Sequence, residues 1–194
     1  MSSKEKMILA ALDLFHSRGV NATGISEVLK RSKTGKGQFT HYFKNKDGLI
    51  REVVSYLIEV IRSGQAGTGY DIKDWVELEG WFESYIVFQK SVACTRSCPL
   101  GTIGNDLNEK QEIIRQDLRL FFSWAHSKLA RFFAERKAAG ELSQSADPDG
   151  LADLLITVMQ GGMLVTKIER KTEIFERAAQ QALNHIQNLR RVSR

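Results

Sequence analysis

Residues 32–47 read SKTGKGQFTHYFKNKD, which sets Lys33, Lys36, Lys44 and Lys46 among two glycines, the rings of Phe39, Tyr42 and Phe43, and one acid, Asp47. Glycine beside lysine predicts a phosphate partner, and two kinds of phosphate site compete for it. A nucleotide-binding P-loop needs G-x-x-x-x-G-K-[Ser/Thr] after a buried strand. Here Gly37 follows Gly35-Lys36, and Lys30 holds the place of the earlier glycine. A dinucleotide fingerprint built on Gly35 and Gly37 would need a third glycine where Thr40 stands. No strand-like apolar run precedes either pattern. The backbone of a DNA duplex is the better partner.

A duplex reader needs two short helices and a tight turn, because a major groove about 12 Å wide admits one helix whose first residues face the base edges. The spacing fits that plan. Thr23 is predicted to cap a first helix over 23–31 with Ile25, Val28 and Leu29 apolar, and Ser32 to Gly35 break it. A second helix over 36–42 turns Phe39 and Phe43 inward. Lys36 and Gln38 then face bases, with Gly37 between them allowing close backbone approach. Lys46 opens the next helix and adds its charge to a positive dipole end.

The charge distribution agrees. Residues 1–50 hold nine Lys/Arg against four Asp/Glu, while the other 144 residues hold 19 of each sign, so the whole net charge of +5 lies at one end. That end is suited to a polyanion and the remainder is a neutral body. Apolar residues make up 42% and charged residues 26%, which predicts a packed core. Two cysteines make neither a disulfide framework nor a full zinc site. The opening MSSKEKMILAALDLF is amphipathic and unlike a signal peptide. Leu151 to Ile168, the most apolar run, is interrupted by Asp153, Thr157, Gln160 and Lys167. A soluble, cytoplasmic protein without membrane attachment, cofactor or metal is expected.

Beyond the basic end the periodicity is helical throughout. Ile8, Ala11, Leu12 and Phe15 share a face that Gly19 terminates, and Asn45 can cap a helix over 46–62 with Leu49, Ile50, Val53, Val54, Leu57 and Ile61 inward. The glycine-rich connector SGQAGTGYD (63–71) follows. Next come an aromatic helix from Trp75 to about residue 90 and a short helix with Pro99 in its first turn. A long helix is predicted over 109–139, ending at Gly140. Two final helices begin after the Asp147-Pro148 pair. The predicted class is all-α.

The run ILAALDLFHSRGVNATGISEVLKRSKTGKGQFTHYFKNKDGLI (8–50) resembles the DNA-binding domain of TetR-family transcriptional regulators. It carries A-A-x-x-L-F at 10–15, Gly19 after that helix, and G-x-x-x-H-Y-F-x-x-K at 37–46. The resemblance covers about the first quarter of the chain. It implies a helix-turn-helix DNA-binding head over 1–47, an effector-binding and dimerisation body over 48–194, and a helix 46–62 connecting them. It also implies a homodimer on a pseudo-palindromic operator of double-stranded DNA, with half-sites on the order of 34–40 Å apart. The implied DNA contacts are Thr23, Lys36, Gly37, Gln38, Thr40, His41, Tyr42 and Lys46. This sequence departs from the family where Lys33 replaces the turn glycine, Gly35 the small cap residue, Thr34 a common apolar residue, and Thr40 the tyrosine that often meets phosphate.

In the body, Trp75, Trp81, Phe82, Tyr85 and Phe88, with Phe121, Phe122 and Trp124, supply aromatic bulk for an effector pocket that suits a small apolar or aromatic ligand. Leu155, Val158, Val165, Ala182 and Ile186 are predicted to face the second subunit. Cys98 precedes Pro99 at a helix start, where the dipole favours thiolate, so a redox or electrophile switch is the alternative signal; Cys94 lies four residues before it. Four scattered histidines, His16, His41, His126 and His185, with no serine-centred elbow and no ligand cluster, argue against an enzyme. The function expected is a repressor that releases its operator when effector binds, although an activator would read identically. A helical protein-interaction module without DNA binding is the remaining alternative.

Overall fold

The computed structural model describes residues 1–191, and within them every extended element is a helix. The order is α1 (Ser3–Arg18), α2 (Ile25–Ser32), α3 (Lys36–Phe43), α4 (Lys46–Arg62), α5 (Trp75–Ser91), α6 (Pro99–Asn105), α7 (Glu112–Ala138), α8 (Pro148–Glu169) and α9 (Glu173–Leu189). The only β pairing among the described residues is an isolated bridge between Leu142 and Arg190.

Local chemistry sets most of the boundaries. Ser2 and Glu5 form a reciprocal capping box at the start of α1, and the Gly19 N–H closes its end on the Phe15 carbonyl at 2.8 Å. Asn45 caps α4, its Oδ1 accepting from the Gly48 N–H at 2.9 Å. Asp74 and Asp147 cap α5 and α8 in the same way. Pro99 and Pro148 occupy first-turn positions, where a missing N–H leaves nothing unsatisfied.

One predicted cap is wrong. The residue before α2 is Gly24, whereas Thr23 lies in the preceding turn and donates its hydroxyl to the Gly19 carbonyl at 2.8 Å. Having satisfied its side chain backwards, Thr23 is buried, with 1% of its surface exposed. At the other end of α2, Lys33 takes the left-handed conformation (φ 54°) and its N–H closes on the Leu29 and Lys30 carbonyls. A left-handed non-glycine residue costs roughly 1 kcal/mol, part of which glycine would return as unfolded-chain entropy. Lys33→Gly is therefore expected to stabilise the protein by about 0.5 kcal/mol, read as a rise of a few degrees in the first thermal transition.

Packing divides the chain into two compact units. The first is residues 1–63 with 98–121; the second is 64–97 with 122–194. This does not follow the 47/48 division expected from sequence. All of α4 lies in the first unit, and so do α6 and the opening turns of α7. The core of the first unit is Met7, Ala11, Leu14 and Phe15 of α1, Phe39 and Phe43 of α3, Leu49, Ile50, Val53 and Val54 of α4, and Leu100 and Ile103 of α6.

In the second unit α8 and α9 form a hairpin. By length and composition α8 could cross a membrane, but Leu151, Leu155, Met159 and Met163 spend its apolar surface inside the unit. Phe175 of α9 sits so close to Gly162 of α8 that a Cβ there would lie 2.1 Å from the ring. This packing corrects the expected dimer face. Leu155 (0% exposed), Ala182 (4%) and Ile186 (2%) are filled in by their own chain. Val158 and Val165 stay half-buried, and the exposed apolar residues of α8 are Leu164 and Ile168.

Candidate functional site

The first unit presents α3 as its outward helix. Phe39 and Phe43 turn into the core with ring centroids 5.4 Å apart, as their spacing predicted. That anchors the opposite side, and Lys36, Gly37, Gln38, Thr40, His41 and Tyr42 are all exposed. Thr23 is not part of this surface, because its hydroxyl is turned into the α1–α2 turn and covered. Lys46 is half-buried at the first position of α4.

Several of these side chains have work inside the free head. Gln38 accepts from the Gly35 N–H through Oε1 and donates to the Ser3 hydroxyl through Nε2, both at 3.2 Å. It therefore closes the start of α3 and ties it to α1, so meeting a base would require it to leave these partners. Thr40 donates its hydroxyl back to the Lys36 carbonyl at 3.1 Å. The His41 and Tyr42 rings lie edge to face at 5.0 Å. An added Cβ on Gly37 would meet nothing within 4 Å. The fold does not need glycine there.

The electrostatics separate the head into two sets of cations. Lys4 pairs with Glu52 at 3.0 Å, Arg51 with Asp117 at 2.7 Å, Arg18 with Glu27 and Arg31 with Asp13. The Asp117 hydrogen bond and charge hold the Arg51 guanidinium pKa above its ordinary value. Among the described residues, Lys30, Lys33, Lys36, Lys44 and Lys46 make no ion pair. These unneutralised charges flank or lie on α3. A surface whose cations keep their charge uncompensated attracts phosphate over a Debye length of roughly 10 Å.

Sequence reading missed the contacts that hold the head from 98–121. Asp106, the residue after α6, accepts from the Val20 N–H at 2.6 Å and the Asn21 N–H at 3.2 Å, and its carbonyl accepts from the Asn21 side-chain amide at 3.1 Å. Gln111 donates to Asp47 at 2.7 Å. With the Arg51–Asp117 pair, these contacts fix the α1–α2 turn and the first turns of α4 to a segment contributed by the later chain.

In the second unit, Trp81 stacks edge-on with Tyr85 at 5.0 Å and with Tyr70 at 5.7 Å, and Tyr70 meets Trp124 at 5.6 Å. Tyr85 donates to the Tyr70 hydroxyl at 3.3 Å. Trp81, Phe82 and Tyr85 are buried; Phe88, Phe122 and Trp124 are half-buried. Trp75 has other company: Phe132 at 5.2 Å, Arg190 over its ring at 4.5 Å, and Glu141, which accepts from its indole N–H at 2.7 Å. It lines an open groove of about 470 Å³ between α5 and α9 whose other walls include Glu79, Glu83, Gln180 and Asn184. Phe121, buried, belongs to the first unit. Cys94 is buried, while Cys98 caps α6 with Sγ accepting from the Gly101 N–H at 3.5 Å.

Residues 7–53 match the family described as "Bacterial regulatory proteins, tetR family", and residues 76–182 match "Tetracyclin repressor-like, C-terminal domain". The transcriptional regulator AcuR of Cereibacter sphaeroides is 26% identical over 173 residues, covering 87% of this chain and 78% of that one. The transcriptional repressor DhaR of Mycobacterium sp. strain GP1 is 22% identical over 88% of this chain and 85% of its own. The crystal structure of a regulatory protein TetR from Rhodobacter sphaeroides superposes with a TM-score of 0.78 at 24% identity, covering 93% of this chain and 97% of that one.

Proposed function

Because this chain belongs to the TetR family of bacterial transcriptional regulators, we propose that it is a repressor that releases a pseudo-palindromic operator when a small apolar or aromatic effector binds its second unit. Regulators of this family bind DNA operators and small-molecule effectors and act as dimers, and they are not enzymes. As a regulator of chromosomal DNA, it acts in the cytoplasm.

The observation that carries the DNA surface is the set of five unpaired lysines around an exposed α3. Lys36 and Gln38 read base edges, Gly37 admits the duplex backbone, and Thr40, His41, Tyr42 and Lys46 hold phosphates. Thr23 is left out of this set. The dimer seam runs along the outward stripe of α8, where Leu154, Val158, Gly161, Val165 and Ile168 recur at four- and three-residue steps.

Effector acts by shifting populations between operator-spaced and displaced heads. The signal reaches the head through 98–121, whose contacts at Asp106, Gln111 and Asp117 grip the α1–α2 turn and α4. Modification at Cys98 is the second route to the same segment, favoured by the Gly101 N–H directed at its sulfur.

The test is a salt titration of operator affinity with variants. Two heads that neutralise roughly two to four phosphates each predict a loss on the order of 10²–10⁴ between 50 and 200 mM salt. Lys46→Ala should weaken all sequences alike and flatten the salt slope. Gln38→Ala should relax choice at one or two base positions. An unchanged affinity, slope and footprint in both variants would remove α3 and α4 from the interface.

A further inference from the structure

The inward face of α5 consists of Leu78, Trp81, Phe82, Tyr85, Ile86 and Gln89. Gln89 is the misfit. It is completely buried, and neither its Nε2 nor its Oε1 meets a hydrogen-bonding partner among the described residues. Thr166 of α8 is also completely buried, with Oγ1 unpartnered, and so is the indole N–H of Trp81.

Two contacts place Gln89 and Thr166 on one seam. Phe82 lies seven residues before Gln89, hence on the same face of α5, and meets Phe175 of α9 at 6.2 Å. Phe175 in turn presses on Gly162, one turn before Thr166. Past Gln89, Arg170, the residue after α8, donates to the Cys94 carbonyl at 3.3 Å. Along the chain each orphaned residue falls between these contacts, Gln89 between Phe82 and Cys94, and Thr166 between Gly162 and Arg170.

Buried polar groups without partners cost stability, and folded proteins leave very few of them. Leucine and valine would pack this seam better, so the amide and the hydroxyl are kept for something other than folding. We propose that Gln89 and Thr166 form the polar end of a small-molecule site in the second unit. Its ligand is a neutral molecule with a flat apolar body and an amide-type group that both donates and accepts. The inference rests on the reading of the chain as an effector-controlled regulator and specifies that effector's chemistry.

The donor and acceptor inventory selects this class. A glutamine amide offers one N–H face and one carbonyl face, so a primary amide, lactam or carboxylic acid in its neutral form complements both. A carboxylate would repel Oε1 and would need a buried cation, yet Lys90 is committed to Glu176 at 2.8 Å and Arg170 to the Cys94 carbonyl. A hydrocarbon would leave all the polar atoms as they are. The rings of Trp81 and Tyr85 supply the flat apolar wall.

The probe is benzamide, with toluene and benzoate as apolar and charged controls of the same ring. Each is titrated into full-length wild type, Gln89→Leu and Thr166→Val, and read by tryptophan fluorescence and thermal shift. Benzamide should bind wild type at least about tenfold more tightly than either control, and each variant should lose about tenfold in benzamide affinity. The ligand-free variants should melt at or above the wild-type temperature, since each removes an unsatisfied group. Equal benzamide affinity in all three proteins, no benzamide binding to wild type, or a lower melting temperature in both free variants would overturn the site. Operator binding is measured on the same samples. If wild type binds DNA while the benzamide results fail, the site falls and the regulator reading stands; if wild type binds no DNA, the regulator reading itself falls.

Discussion

Gly48→Ala is expected to abolish operator binding while leaving the second unit folded. An alanine Cβ at this position would lie 2.0 Å from the Phe43 carbonyl oxygen and 3.0 Å from its carbon. Both are backbone atoms, so no rotamer change relieves the clash. The turn has no slack, because Phe43 is fixed in the core, Lys44 already sits at φ 64°, and Asn45 Oδ1 holds the Gly48 N–H. Overpacking of this kind costs roughly 3 kcal/mol or more, and it falls on the junction that aims α3. Operator affinity should drop by at least about 100-fold, the equivalent of roughly 2.7 kcal/mol.

The protein carries its own reporter for this test. All three tryptophans, Trp75, Trp81 and Trp124, belong to the second unit. Gly48→Ala should lower the melting transition seen by far-ultraviolet circular dichroism but shift the tryptophan fluorescence transition far less. Gly37→Ala is the matched control for folding alone, since Gly37 lies on the DNA-facing surface. With open space around its Cβ, it should fold at least as well as wild type, since alanine favours a helix by roughly 1 kcal/mol over glycine. If Gly48→Ala binds operator normally, the close approach of α4 to Phe43 is not what positions α3.

The second large effect is expected at Asp106. Its carboxylate takes the N–H groups of Val20 and Asn21, which follow Gly19 in the α1–α2 turn. A β-carbon on Gly19 would come within 2.5 Å of the same carboxylate, so the turn and the acid are closely fitted. Asp106→Ala leaves two backbone donors without their ionised acceptor, a loss of about 1.5–3 kcal/mol. The head should melt earlier, and the operator-binding response to effector should shrink, because α6 no longer grips the turn. Asp106→Asn keeps an acceptor and should restore much of both. A variant that loses stability but responds fully to effector would show that this contact only braces the head.

The residues that sequence reading placed correctly are those governed by neighbours along the chain. Asn45, Asp147, Pro99 and Gly19 act within a turn of where they stand, and the inward spacing of Phe39 and Phe43 is a property of one short helix. Thr23 failed for a local reason too, since its hydroxyl can bond backwards or forwards and the turn after Gly19 favours the former. The contacts of Asp106 span 85 and 86 residues, and no periodicity records them. The dimer face was obscured differently. A helix apolar nearly all round, as α8 is, gives no sign of which side its own chain will cover, and Leu155 proved fully buried. Gln89 was overlooked because a single glutamine in an aromatic helix reads as surface until its burial is seen.

The central claim is that α3 and the unpaired lysines around it read duplex DNA. It is tested most directly by selecting bound sequences from a pool of random duplexes with the purified full-length protein at two salt concentrations. The account predicts enrichment of one inverted repeat, strong at low salt and sharply reduced at high salt, and lost in a Lys36→Ala, Lys46→Ala double variant. Failure to enrich any sequence, or retention of DNA that neither salt nor the double variant weakens, would contradict it.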